Sequence, residues 1–331
     1  MQVNKIYKDL LQKIRSKNLG QLTGVFGALV IIFVASCFIS ENFLTEYNLT
    51  IMARDLAFIG IVAIAQGFLL LLGDIDLSIG AVAGLCGVVT AKLLVDVNMN
   101  PVLAMSLGLL AGSILGWVNG FLTTIFKLNP LVLTIGTSTA FTGLNLAITR
   151  GRTITGLPEG ITVLGTGMLF GVPIPIIFML VIFALALFLT TKTVFGRQLY
   201  AVGNNREAAK IVGIKENRIR IIAFMISGVF SGLAGILMSF RLISAQTSIG
   251  ATWVMPSIAA AVIGGIATTG GIGNIAGALL GGAIMGVIGN IIVLGGVDAY
   301  WQQVFDGVIV VLAIIIDSLS RNIRMKNMKK S

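Results

Sequence analysis

The feature that most constrains this chain is its succession of apolar runs, each long enough to cross a bilayer. A crossing α-helix needs about 17–25 residues. Such runs lie at 22–40, 51–73, 77–95, 101–126, 131–149, 174–191, 219–240, 251–269, 273–294 and 299–317. Lipid offers backbone amides no partners, so each run must satisfy its own hydrogen bonds as a helix. The pattern therefore predicts an all-α membrane protein with about ten transmembrane helices. Only 11% of residues are charged and 56% are hydrophobic, whereas about a quarter of a globular chain is charged. A soluble fold could not hide that much apolar surface.

Charge sets the expected orientation. With the N-terminus in the cytoplasm and ten crossings, 18 of the 23 Lys and Arg fall inside: five before Lys17 and including it, Lys127, seven between Lys192 and Arg220, and five between 321 and 330. Arg54, Lys92, Arg150, Arg152 and Arg241 fall on or near the outer face. Cations are retained on the cytoplasmic side, so this bias predicts both termini on the cytoplasmic side of the membrane. It also accounts for the net charge of +10 without a nucleic-acid partner. The expected organisation is a 1–19 amphipathic segment, with Ile6, Leu10 and Ile14 on one face lying on membrane lipid. A single transmembrane domain follows over 20–318, containing a cytoplasmic loop over 192–218, and a basic tail fills 319–331. Val34-Ala35-Ser36-Cys37 has the form of a lipoprotein cleavage box, but the long run and the spans after it favour an uncleaved first helix.

Several chemistries are disfavoured at once. The chain has no histidine, which removes the commonest general base and metal ligand. Its two cysteines, Cys37 and Cys86, sit inside apolar runs and imply neither a disulfide framework nor a thiolate metal site. The glycine-rich stretch 264–274 lacks the Gly-Lys-Ser/Thr ending of a phosphate-binding loop, so it is expected to be a tight inter-helix turn. No metal and no directly bound cofactor are expected. Gly108, Gly112, Gly116 and Gly120 recur at every fourth residue and form one smooth helix ridge, the spacing that lets helices approach closely in lipid.

Polar residues at membrane depth are the candidate functional groups. Asp74, Asp76 and Ser78 separate the second and third spans and could bind a cation or take up a proton. Alternatively, Asp76 or Ser78 caps the next helix, which is favoured because no further oxygen ligands cluster nearby. Asn119, Asn129, Asn145 and Asn290, with Gln66, either line a hydrophilic path or glue helices together; both readings stay open.

The stretch from Thr191 to Ile221 is basic and polar in a chain that is otherwise neither. Residues 205–212 carry good helix formers, Gly203-Asn204-Asn205 offers turn and N-cap chemistry, and Gly213 stands where a C-terminal cap belongs. A short helix outside the membrane is predicted. Within it, Glu207-Ala208-Ala209 followed by Gly213 resembles the coupling motif of ABC-importer permeases, although the downstream Leu-Pro extension is absent. Phe195-Gly196-Arg197, Ala201-Val202-Gly203-Asn204, Gly213-Ile214, Asn42-Phe43-Leu44-Thr45, the block at 73–78, Ala259–Gly265 and the glycine pattern at 270–277 together resemble the ribose-type sugar permease family over nearly the whole chain. One departure is Asp74, where the family has a second glycine.

The resemblance implies a type II, vitamin-B12-importer-like fold working as a homodimer. It implies a cytoplasmic ABC ATPase with tandem nucleotide-binding domains, which would use ATP and Mg, and a periplasmic or extracellular sugar-binding protein. Glu207, Ala208, Ala209 and Gly213 would form the docking core, with Arg206 and Lys210 pairing acidic residues on the partner's rim. The chain would be a transport subunit and not an enzyme, carrying a pentose or similar sugar. The alternatives are an autoinducer-2 permease of the same family, an ion-coupled secondary transporter using Asp74 and Asp76, and an intramembrane enzyme, which lacks a paired nucleophile and base.

Overall fold

Each apolar run of the sequence contains a helix in the computed structural model, which describes residues 2–298 and 301–328. Side chains before Gly20, that of Gln21 and those after Leu319 lie outside the description, and with them the amphipathic face expected for 1–19 and the basic tail. The elements in chain order are α1 (Gln2–Ile39), α2 (Glu46–Leu71), α3 (Ile79–Val95), α4 (Pro101–Ile125), α5 (Pro130–Thr149), α6 (Glu159–Thr166), β1 (Met168–Leu169), β2 (Val172–Pro173), α7 (Ile174–Lys192), α8 (Val194–Asn204), α9 (Arg206–Ile211), α10 (Glu216–Arg241), α11 (Val254–Ile263), α12 (Ile275–Leu294) and α13 (Gln302–Met328).

Eight of these helices are long and apolar enough to cross a membrane. The runs at 77–95 and 251–269 give shorter helices, α3 and α11. The ten residues of α11 rise only about 15 Å, so the expected span there is broken. Non-helical backbone follows it, with Ile266 and Ala267 buried and Gly264 set against Gly277 of α12. Irregular backbone at such depth survives only where protein covers it.

Helix α10 is the centre of the bundle, packed by α4, α3 and α2; α12, α11 and α7 lie on α2, and α5 lies on α3 and α4. α1 and α13 are outermost. Helices α1, α5, α7 and α13 expose large apolar side chains such as Phe38, Ile135, Phe188 and Val311, the pattern of a surface wetted by lipid rather than water.

The glycine ridge of α4 faces α10. A Cβ at Gly112 would lie 2.5 Å from the Gly228 carbonyl oxygen, and one at Gly228 would lie 2.1 Å from that of Gly112. Gly116 and Gly120 meet Phe224 and Ile221 in the same way, and Gly235 of α10 meets the Ala83 carbonyl of α3. These helices touch backbone to backbone.

The connections sort to two ends of the bundle. One end, called here the basic face, gathers the turns after α2, α4 and α11 with α8 and α9, and includes Lys127 and most of the cations of 192–220. The opposite end holds α6, the small hairpin β1–β2 with register Met168↔Pro173, an antiparallel bridge between Ile154 and Ala245, and the pairing of Arg241 with Asp55.

Gly228→Val is expected to abolish monodisperse protein in detergent, because a branched side chain cannot fit where backbones touch and overpacking alone costs about 1–3 kcal/mol. Gly143→Ala on α5, with nothing within 4 Å of its Cβ position, should leave size-exclusion profile and melting temperature intact.

Candidate functional site

The basic face is built around a joint of three backbones. Helix α8 ends at Asn204, and Gly203 presses so closely on the end of α2 that a Cβ there would lie 1.9 Å from the Leu71 carbonyl oxygen. The Gly271 amide donates to that same oxygen at 2.8 Å. Asn204 Nδ2 donates to the Gly271 carbonyl at 3.3 Å, and the Tyr200 hydroxyl donates to that of Gly273 at 3.0 Å. Burial pushes the Tyr200 phenol up to about 12, so it keeps its donor proton at neutral pH. Thus Ala201-Val202-Gly203-Asn204 and Gly270-Gly271, far apart in sequence, form one seam.

From this seam projects α9. Asn205 is its N-cap, accepting from the Ala208 amide at 3.0 Å. At the other end the Gly213 amide donates to Lys210 O at 2.9 Å and the Ile214 amide to Ala209 O at 3.0 Å, with Gly213 at φ +82°. That left-handed close suits glycine. The helix and both caps agree with the sequence expectation. Ala209 packs inward, whereas Ile211 and Val212 at the tip are 86% and 74% exposed. Helix α8 was not foreseen: with Gly196 and Gly203 in it, the stretch reads as loop. Thr193 caps it by accepting from the Gly196 amide.

Arg206 and Lys210, expected to meet acidic residues of a partner, also pair within the chain while staying partly exposed. Lys210 Nζ bonds Glu207 at 3.1 Å and Glu216 at 3.3 Å. Those two carboxylates, Glu207 foremost, raise its pKa. The linked stability is full below the unfolded value of the lysine and fades only as pH climbs through the raised one, so this contact is insensitive to pH near neutrality.

Arg206 Nη2 donates to Asp74 Oδ1 at 2.7 Å and to Leu72 O at 3.2 Å. Asp74 is only 1% exposed and also receives Arg220 of α10, through Nε to Oδ2 at 2.8 Å and Nη2 to Oδ1 at 3.1 Å. A carboxylate held by two guanidinium groups is not an open cation site, which corrects the cation-binding reading of Asp74. Asp76 lies apart. Its Oδ1 accepts from the Ser78 amide at 2.7 Å and from the Ser78 hydroxyl at 2.6 Å, and Asn119 Nδ2 donates to Ser78 Oγ at 2.8 Å. Ser78 occupies the N-cap position of α3 but makes no side-chain cap bond, because its hydroxyl is engaged by Asp76 and Asn119. The capping expectation is corrected in this respect: Asp76 closes the turn just ahead of the helix instead.

The scattered amides divide. Asn129 caps α5 through Leu131, and Asn290 makes a reciprocal pair with Asn48 at 2.8 and 3.0 Å, tying α12 to α2. These two are structural glue. Asn145 Oδ1 and both amide atoms of Gln66 are buried without a hydrogen-bond partner among the described residues. A cavity of about 1290 Å³ opens on the basic face between Asp74, Lys127, Arg206, Lys215, Arg218 and Arg220. No group of three or more Asp, Glu or Cys suited to a metal occurs among the described residues.

The site is thus a multi-helix bundle of apolar, membrane-length helices with a small capped helix projecting from its basic face. The chain belongs to the family described as "Branched-chain amino acid transport system / permease component", whose model matches residues 48–314. It is 37% identical to the ribose import permease protein of Bacillus subtilis, over 90% of this chain and 92% of that one. It is 35% identical to the D-allose transport system permease protein of Escherichia coli, over 88% and 89%. To the autoinducer 2 import system permease protein of Yersinia enterocolitica it is 34% identical, over 90% and 84%. No solved structure matches the chain significantly.

Asp74→Ala should lower the melting temperature sharply, because it leaves Arg220 buried without a counter-charge, a loss of about 3–5 kcal/mol. Asp74→Ala combined with Arg220→Met should recover part of it in the same thermal assay.

Proposed function

We propose that this chain is the membrane subunit of an ATP-binding cassette importer that translocates ribose or a similar small sugar. Similarity to the ribose permease over nine-tenths of both chains supports the solute class. The autoinducer-2 relative is the less similar of the two, so the sugar reading is preferred. In this reading the protein crosses the inner membrane ten times in a type II arrangement, α3 and the broken α11 included, with both termini in the cytoplasm. The permease domain over 20–318, the 192–218 coupling loop and the 319–331 tail keep the roles expected of them. The chain works as a homodimer, receives sugar from an extracytoplasmic binding protein, and binds neither ATP nor Mg itself.

The observation that carries the proposal is α9. It is a short helix, capped at both ends and held to the bundle, with two large apolar side chains at its tip that the fold leaves uncovered. Ile211 and Val212 stand among Glu207, Lys210 and Lys215, on a face too polar for lipid. A groove on a tandem nucleotide-hydrolysing subunit would cover them, and burying each contributes on the order of 2 kcal/mol. Glu207, Ala208, Ala209 and Gly213 then form the seat. ATP-driven closure of the partner displaces α9 as a rigid body, and the seam at Gly203, Leu71 and Gly271 passes the displacement to α2, α11 and α12. The buried amides Gln66 and Asn145 are the candidate path-lining groups.

The engagement of Asp74 by two arginines weighs against ion-coupled secondary transport. Proteoliposomes decide between the two classes: uptake of labelled ribose should require the ATPase, the binding protein and ATP, and should persist when ion gradients are dissipated. Uptake by the permease alone would overturn the reading. Ile211→Asp with Val212→Asp should weaken ATPase association by roughly three decades, since about 4 kcal/mol of apolar contact is lost. Gly213→Val, forced into a left-handed conformation at a cost of about 1–2 kcal/mol, should reduce docking and uptake together.

A further inference from the structure

Asp74 joins three elements that are distant in sequence: the turn between α2 and α3, the first residue of α9, and the buried start of α10. The two arms of the joint differ. Arg220 is 6% exposed and grips both carboxylate oxygens with Nε and Nη2, a fork geometry that fixes orientation as well as distance. Arg206 is more exposed and reaches Asp74 through Nη2 alone, the same nitrogen that also touches Leu72 O. The inner arm is rigid, and the outer arm belongs to the helix that a partner would move.

Resting on the importer reading above, we propose that Asp74 is a positioning residue for energy coupling. It transmits displacement of α9 through Arg206 to Arg220, and so to α10, the helix on which α2, α3 and α4 all pack. The backbone seam at Gly203 connects α8 to α2 and to the α11–α12 turn, and Lys210 ties α9 to Glu216 at the start of α10; the Asp74 link adds a buried ionic path straight from α9 to Arg220. Burial makes the link stiff. A carboxylate removed from water cannot exchange an arginine for solvent without a large desolvation penalty, so α9 and α10 move together rather than slip.

The test uses the whole assembly of permease, ATPase and binding protein in proteoliposomes, and reads labelled ribose imported per ATP hydrolysed. Arg206→Gln cuts the outer arm and leaves the buried Asp74–Arg220 pair intact. The expected result is normal ATPase association, hydrolysis within about twofold of wild type, and a fall of about tenfold in ribose per ATP. Arg206→Lys, which restores the charge, should recover most of that ratio. Asp74→Asn with Arg206→Gln should be no worse than the more affected single variant, because both cut one link. If Asp74→Asn fails to fold, the Gln and Lys variants at 206 decide alone. A readout independent of the sugar is a fluorophore on Thr155→Cys at the opposite end. Its response to a non-hydrolysable ATP analogue should vanish in Arg206→Gln while the analogue still binds.

An unchanged ratio with an unchanged fluorophore response would overturn the strut. So would parallel loss of ATPase association and uptake at constant ratio, which would make Arg206 a docking contact. Independent, additive losses in the double variant would also overturn it. Failure of the importer reading looks different, because wild-type permease would then import ribose with no ATPase present.

Discussion

Backbone touches backbone through the centre of this protein, and everything else is arranged around that contact. In lipid there is no gain from withdrawing leucines from water, so helices associate through close packing and polar contacts between them. Glycines on α4 and α10 remove the side chains that would hold the helices apart, and the ridge at Gly108–Gly120 meets Gly228, Phe224 and Ile221 without intervening atoms. α10 can therefore be buried on several sides at once. The same device recurs where Gly264 meets Gly277 and where Gly281 meets Ala260, which lets the broken helix α11 lie flush on α12.

A centre this tight transmits movement well and tolerates little slack. The basic face uses that property. Its seam is again glycine against backbone, at Gly203, Leu71 and Gly271, and α9 projects from it on an asparagine cap and a glycine close. Charge is then placed where packing alone would leave a gap. Asp74 with Arg206 and Arg220 is a buried ionic group in an apolar protein, and such groups are retained only when every partner is in place. Lys210 with Glu207 and Glu216 is a looser version of the same arrangement, exposed and correspondingly weaker.

Some of this was legible in the residues and some was not. Eight of the spans were, because each must close its backbone hydrogen bonds locally and so writes itself as an unbroken apolar run. The ridge on α4 was, because a four-residue repeat lies on one face of any helix. α9 was, since Asn205, the alanines and Gly213 are local signals acting within nine positions. Helix α8 escaped notice because its glycines, which weaken helix propensity, are there for contacts with distant segments. The shortness of α11 is not legible for a related reason: apolar composition continues past Ile263, and only the packed bundle, α2 as well as α12, lets buried backbone leave the helix.

What the sequence determined by itself was the solvent, the number of apolar segments, and the short capped helix on a basic stretch, all of which depend on interactions within a few residues. What only the tertiary structure decided was which polar groups meet. Asp74 finds partners 132 and 146 residues away, Asn48 and Asn290 pair across 242, and the Ser78 hydroxyl turns to Asp76 and Asn119 instead of capping its own helix. A polar side chain buried among lipid-soluble helices takes the partner that folding brings within reach, and reach is a property of the packed bundle rather than of spacing along the chain.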